Sequence, residues 1–221
     1  MAASFNESSR CAYPCSPTKC SWTWALLFGL LTSLSGCSTA LPPLIPPDWN
    51  SAAGEAAIQE YDSDGDGLLA AVELDRVPAL KSATSRIDTN NDSKLSPEEI
   101  NARIQKWRDL NIAIMPTTVN VFKDRQPLAD IEVTLVPEKF LGDAIKPAKG
   151  TTNQNRTAVI RISSSRDEEG VHQGFYRIVL SKKAADRETL LPKFNTETEL
   201  GAEIAADSPA LKDIMINLDG S

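Results

Sequence analysis

The sequence predicts an α+β chain of more than one domain, a small helical module followed by an all-β sandwich. Three observations carry this expectation. Apolar residues recur at helical spacing around two acidic twelve-residue stretches, Asp62–Glu73 and Asp88–Glu99. From about Pro116 onward the texture changes to short segments that alternate apolar and polar residues. Turn clusters rather than helical runs separate those segments. The 221 residues leave room for two small domains, and 41% hydrophobic with 24% charged residues is a globular composition. Net charge is −7, with acidic residues crowded between Glu55 and Glu99. No dense Lys/Arg tract is present to neutralise phosphates, so no nucleic-acid partner is expected.

Residues 1–36 are expected to be a signal peptide. A polar segment with Arg10 and Lys19 precedes the apolar run Trp22–Leu34, which ends in Ser35, Gly36 and Cys37. The run is short for a membrane-spanning helix, which takes about 20 residues. Leu34-Ser35-Gly36-Cys37 resembles the lipobox of bacterial lipoproteins. The resemblance implies cleavage before Cys37, lipidation of Cys37, and export to the cell envelope with a lipid anchor in the membrane. The cysteines are Cys11, Cys15, Cys20 and Cys37, so the mature chain is expected to hold no disulfide and to rely on core and metal. Residues 37–50 contain Pro42-Pro43 and Pro46-Pro47 and read as an extended tether.

The helical module is placed at 51–110. Helical signals run from Ser51 to Tyr61 and resume at Glu98–Leu110, where Ile100, Ile104 and Trp107 form one stripe and Pro97 opens the helix. Between them, Asp62–Glu73 satisfies every position of D-x-[DN]-x-[DN]-G-x5-E, the EF-hand calcium loop. Calcium takes about six to eight oxygens, which a short loop supplies by turning alternate residues inward. Asp62, Asp64, Asp66, the Leu68 carbonyl and both oxygens of Glu73 are the expected ligands, with a water opposite Ala70. In the second loop they are Asp88, Asn90, Asp92, the Lys94 carbonyl, Ser96 and Glu99. There Ser93 stands where glycine is expected, at a cost of about 1 kcal/mol for positive φ. Asn90 also removes one ligand charge, so the second loop is expected to bind Ca2+ more weakly.

Leu69 and Leu95 hold the eighth positions and are expected to face each other. The loops start 26 residues apart, leaving Leu74–Ile87 for two inner helices. Pro78 interrupts that segment and limits each inner helix to about two turns. The methionines, Met1, Met115 and Met215, all lie outside the pair, whereas a calcium sensor opens onto a Met-rich groove. Structural calcium, not a switch, is the expectation. Residues 55–107 resemble the compact EF-hand pairs of secreted bacterial proteins. They are also similar to dockerin modules, although the two loops share little beyond ligand positions.

The β-domain is placed at 116–220. Expected strands are Thr118–Phe122, Ile131–Val136, Ala158–Ile162, Phe175–Leu180, Gly201–Ala206 and Ile214–Leu218. Thr118–Phe122 followed by Gln126-Pro127-Leu128 and an alternating strand, with Gly174-Phe175-Tyr176 later, resembles the carboxypeptidase regulatory-like, or transthyretin-like, family. The resemblance implies a seven-stranded sandwich without catalysis of its own. A long Lys139–Asn155 connection departs from the family pattern.

No enzyme is expected. His172 is the sole histidine and reads as an exposed loop residue, which leaves neither a nucleophile–His pair nor a zinc set. No Gly-rich phosphate loop is present. The expected function is that of a calcium-binding, envelope-anchored lipoprotein with a non-catalytic structural or binding role. The alternative is a calcium-dependent, dockerin-like module that engages a protein or glycan partner at the cell surface.

Overall fold

Four helices come first in the described chain. The computed structural model describes residues 43–162, 169–208 and 213–219. The expected signal segment and Cys37 lie outside the described residues. The helices are α1 (Ala53–Tyr61), α2 (Ala71–Leu74), α3 (Pro78–Ile87) and α4 (Pro97–Leu110). Ser96 caps α4: its hydroxyl accepts from the Glu99 N–H at 3.2 Å, and Glu99 reaches back to the Ser96 N–H at 3.0 Å. Asn111 ends the helix with φ 51°.

The inner helices correct one expectation. Pro78 does not break a helix but opens α3, where a missing N–H leaves no bond unmade, so α3 runs for 10 residues. The loss falls on α2, a single turn of 4 residues. Close packing of α1 on α4 needs a glycine. A Cβ on Gly54 of α1 would lie 2.1 Å from the Pro97 carbonyl oxygen, and the Gly54 N–H donates to Asn101 Oδ1 at 2.8 Å.

Strands follow in two main sheets. In the first, β1 (Thr118–Lys123) pairs in parallel with β11 (Asp213–Asn217) and antiparallel with β2 (Gln126–Pro127) and β5 (Thr157–Val159). In the second, the order is β10 (Gly201–Ile204), β7 (Gly174–Ser181), β3 (Glu132–Pro137), β4 (Ala148–Thr151) and β6 (Arg161–Ile162), all antiparallel. The fold is therefore α+β, helices followed by largely antiparallel sheets. β1 turns into β2 through Asp124 and Arg125, both at positive φ (51° and 60°), as a two-residue hairpin requires. β8 (Lys183–Ala184) and β9 (Arg187–Glu188) form a separate hairpin.

Two expectations about strands change. Ala158–Ile162 is not one strand: β5 joins one sheet and β6 the other, with the crossing at Ile160, whose N–H bonds to Thr117 O at 3.0 Å. The Lys139–Asn155 connection contains β4, a segment whose Ala-Lys-Gly-Thr sequence lacks apolar alternation and is ordered by its pairing to β3. With these, the described residues form eleven short strands rather than seven.

Helices and sheets share one continuous core, from Ala57 and Leu80 to Val121, Leu135 and Leu180. Trp107 of α4, fully buried, has its ring 4.8 Å from Phe175 of β7 and 6.4 Å from Trp49. The expected tether thus ends inside the fold: Trp49 is buried and donates its indole N–H to Gln173 O at 3.0 Å. Gly201 of β10 meets the α3 backbone so closely that a Cβ would be 2.2 Å from Ala79 N. Beside it, Glu203 takes Arg86 Nε and Arg103 Nε at 2.5 Å each, and Arg103 forks onto Asp207 at 2.6–2.7 Å. The Glu203 and Arg103 side chains are 0% and 2% exposed, so either one left alone would be an unpaired buried charge.

Candidate metal centre

Both acidic loops fold by the same local rule, in which each inward carboxylate or amide takes backbone N–H groups from residues just ahead. Asp62 Oδ1 accepts from Gly65 N at 2.7 Å and Oδ2 from Gly67 N at 2.9 Å. Asp88 does the same with Asn91 N at 2.6 Å and Ser93 N at 2.9 Å. Asp64 takes Asp66 N and Asp66 takes Leu68 N, at 3.1 and 2.9 Å. Their counterparts Asn90 and Asp92 take Asp92 N and Lys94 N, both at 2.8 Å. The tight turns need left-handed backbone at Gly65 and Gly67 (φ 76° and 81°) and at Asn91 and Ser93 (61° and 65°). Ser93 therefore carries the strain expected of a side chain in this region.

The twelfth-position glutamates fold back over their loops. Glu73 Oε1 accepts from Ser63 N at 2.6 Å and Oε2 from Ala70 N at 2.9 Å. Glu99 repeats this with Thr89 N at 2.8 Å and Ser96 N at 3.0 Å, and adds the Ser96 hydroxyl at 3.0 Å. The N–H groups of Ser63 and Ala70 hold the Glu73 carboxyl below the usual glutamate range. Burial pushes Glu99 up, but the donors at Ser96 and Thr89 outweigh it and the carboxyl also sits low. Leu69 and Leu95, both fully buried, exchange N–H···O bonds of 2.9 and 3.0 Å, so the two loops lie side by side as the spacing predicts.

One carboxylate oxygen each from Asp62, Asp64 and Asp66 falls within a span of 4.8 Å, a set of hard oxygens able to hold a cation. In the second loop the Asn90 amide donates to Asp92 Oδ2 at 3.1 Å, so its middle position offers an amide where the first offers a carboxylate. The Leu68 and Lys94 residues lie at the loops' equivalent bends, where their N–H groups bond to Asp66 and Asp92. Ser96 has a second task as the cap of α4.

Sequence reasoning missed the Lys94 side chain. Its Nζ reaches across to Asp66 Oδ2 at 2.6 Å and holds the Asp66 carboxyl below its ordinary value. The partners are 28 residues apart in the chain, and the Leu69–Leu95 contact sets their loops side by side. His172 is half-buried rather than exposed, with Nδ1 2.6 Å from Ala113 O. Among the described residues no helix is long and apolar enough to cross a membrane. Comparison with protein-family models, curated proteins and solved structures finds no match for this chain.

Proposed function

We propose that the paired loops are EF-hand calcium sites with a structural role, in an exported, envelope-anchored lipoprotein that is not an enzyme. The observation that carries the reading is the closed state of each loop. Glu73 and Glu99 already lie over their loops, each held by N–H groups of the second and ninth positions. A bidentate carboxylate in that place is what closes a calcium shell. Asp62, Asp64, Asp66 and the Leu68 carbonyl would hold one ion with Glu73. Asp88, Asn90, Asp92, the Lys94 carbonyl and Ser96 would hold another with Glu99. Bound calcium would neutralise the clustered carboxylates of the first loop and stabilise the loop ends of all four helices.

A structural rather than switching role is supported by what lies behind the loops. Trp107 and the Arg86–Glu203–Arg103 group join α3 and α4 to the sheets through buried contacts that oppose movement of these two helices. The lipid anchor at Cys37 and a transthyretin-like sandwich belong to the same proposal and rest on the sequence motifs. Limited proteolysis of the mature protein with calcium and with a chelator tests the role. Protection of Glu55–Leu110 is expected to rise with calcium, and equal cleavage in both conditions would sink the reading.

A further inference from the structure

A cleft of about 340 Å³ opens between the end of α1, the turn after α2, and the β3–β7 pair. Three cations reach it from three different elements. Arg76 comes from the turn after α2, Lys139 from the 3-10 helix Lys139–Leu141, and Arg177 from β7. Neither Arg76 nor Lys139 has an ion-pair partner among the described residues. Two carboxylates line the same cleft, Glu60 at the surface and Glu138 in the wall.

Glu138 is the unusual member. Its side chain is only 3% exposed. Tyr61 Oη donates to Oε2 at 3.2 Å, and Arg177 Nη2 stands 3.5 Å from the same oxygen. The other oxygen, Oε1, has no hydrogen-bond partner among the described residues. Burial pushes the Glu138 carboxyl above its ordinary value. A buried carboxylate oxygen without a donor is costly, and such groups in folded proteins call for a partner.

The charged groups lining the cleft ask for opposite chemistry. A simple anion would meet Glu138, and a simple cation would meet three positive groups. A molecule with an ammonium at one end and carboxylate at the other satisfies both, and the three-to-two excess of cations favours an acidic one. We propose that this cleft binds a free acidic amino acid, its carboxylates on Arg76, Lys139 and Arg177 and its ammonium on Glu138. The inference does not depend on the calcium reading, although Tyr61 and Arg76 lie just outside the first loop.

Calorimetric titration of the calcium-saturated protein with L-glutamate tests it, with glutarate as the same chain lacking the ammonium. L-glutamate is expected to bind at least about tenfold more tightly than glutarate. Glu138→Gln, nearly identical in shape, is expected to abolish that preference. The double variant Arg76→Ala with Lys139→Ala is expected to weaken both ligands by about tenfold or more. Because those two residues are exposed, the double variant is expected to fold and to decide the matter even if Glu138→Gln does not fold. Absence of L-glutamate binding, equal affinity for the two ligands, or unchanged affinity in the double variant would each overturn the proposal.

Discussion

In the first loop Asp62, Asp64 and Asp66 bring three carboxylates within 4.8 Å, whereas the second has Asn90 between Asp88 and Asp92. The ninth positions differ as well. Ser96 caps a helix of 14 residues, while Ala70 has no side-chain oxygen and precedes one of only 4. The backbone hydrogen bonds of the two loops are nevertheless the same, position for position. The second loop is therefore held largely by its own polypeptide, through a capping box and a long buried helix. The first concentrates like charge, and its stability depends more on whatever cation neutralises that charge. Lys94 supplies part of one from the neighbouring loop.

The largest effect that follows concerns the closing glutamates. Glu73→Gln is expected to weaken calcium binding at its loop by about a hundredfold, roughly 2.7 kcal/mol. Glu99→Gln is expected to cost the protein less total calcium affinity, because Asn90 leaves its loop one carboxylate fewer. Calorimetry of the two variants checks the order, and a greater loss with Glu99→Gln would reverse the comparison.

Smaller is the strain at the sixth positions. Ser93→Gly removes the positive-φ penalty but adds unfolded-state entropy, for a net gain of about 0.5–1 kcal/mol in calcium-free protein. A thermal melt is expected to rise by about 2 °C. Gly67→Ser is expected to lower it by a similar amount. If the two changes moved the melt in the same direction, the loops would not share a backbone plan.

Lys94→Met separates the cross-loop cation from the fold. The ion pair is exposed and screened by solvent, so calcium-free stability is expected to change little. First-loop calcium affinity is expected to rise about threefold, since Asp66 is freed from a competing ammonium; this corresponds to roughly 0.7 kcal/mol. An unchanged titration would show that Lys94 does not compete.

The β8–β9 hairpin supplies a reference outside the acidic loops, a carboxylate also held by several donors. Glu188 accepts from Ser181 Oγ and from the N–H groups of Lys182, Thr189 and Leu190 at 2.6–3.0 Å. Burial opposes ionisation, but these donors bring its carboxyl down to about 2. A lowered acid contributes stability that is complete above the unfolded value of about 4.3 and is lost as pH falls toward the folded value. The Glu188 carboxyl resonance is therefore expected to titrate near pH 2. Hairpin amide protection should fade between about pH 4.3 and about 2, with calcium leaving both unchanged. A calcium-dependent shift at Glu188 equal to that at Glu73 would remove the distinction between donor-held and metal-seeking carboxylates.

The residue order alone specifies the two loops. Their inward-facing carboxylates and amide, left-handed turns and folded-back glutamates all lie within twelve residues, and each hydrogen bond there is set by spacing along one short segment. It also determined α1, α4 and the better-alternating strands, because an apolar face at a regular period can be buried only one way. Tertiary structure decided the rest. The α3 backbone packs on Gly201, the Ala158–Ile162 run divides at Ile160 because two sheets share it, and β4 is ordered by β3. Trp49 leaves the tether to pack against Trp107, Lys94 meets Asp66, and Glu138 is buried beside Tyr61. Each of these joins residues far apart in the chain. Their partners are chosen by which surfaces the folded core brings together, and no local pattern records that choice.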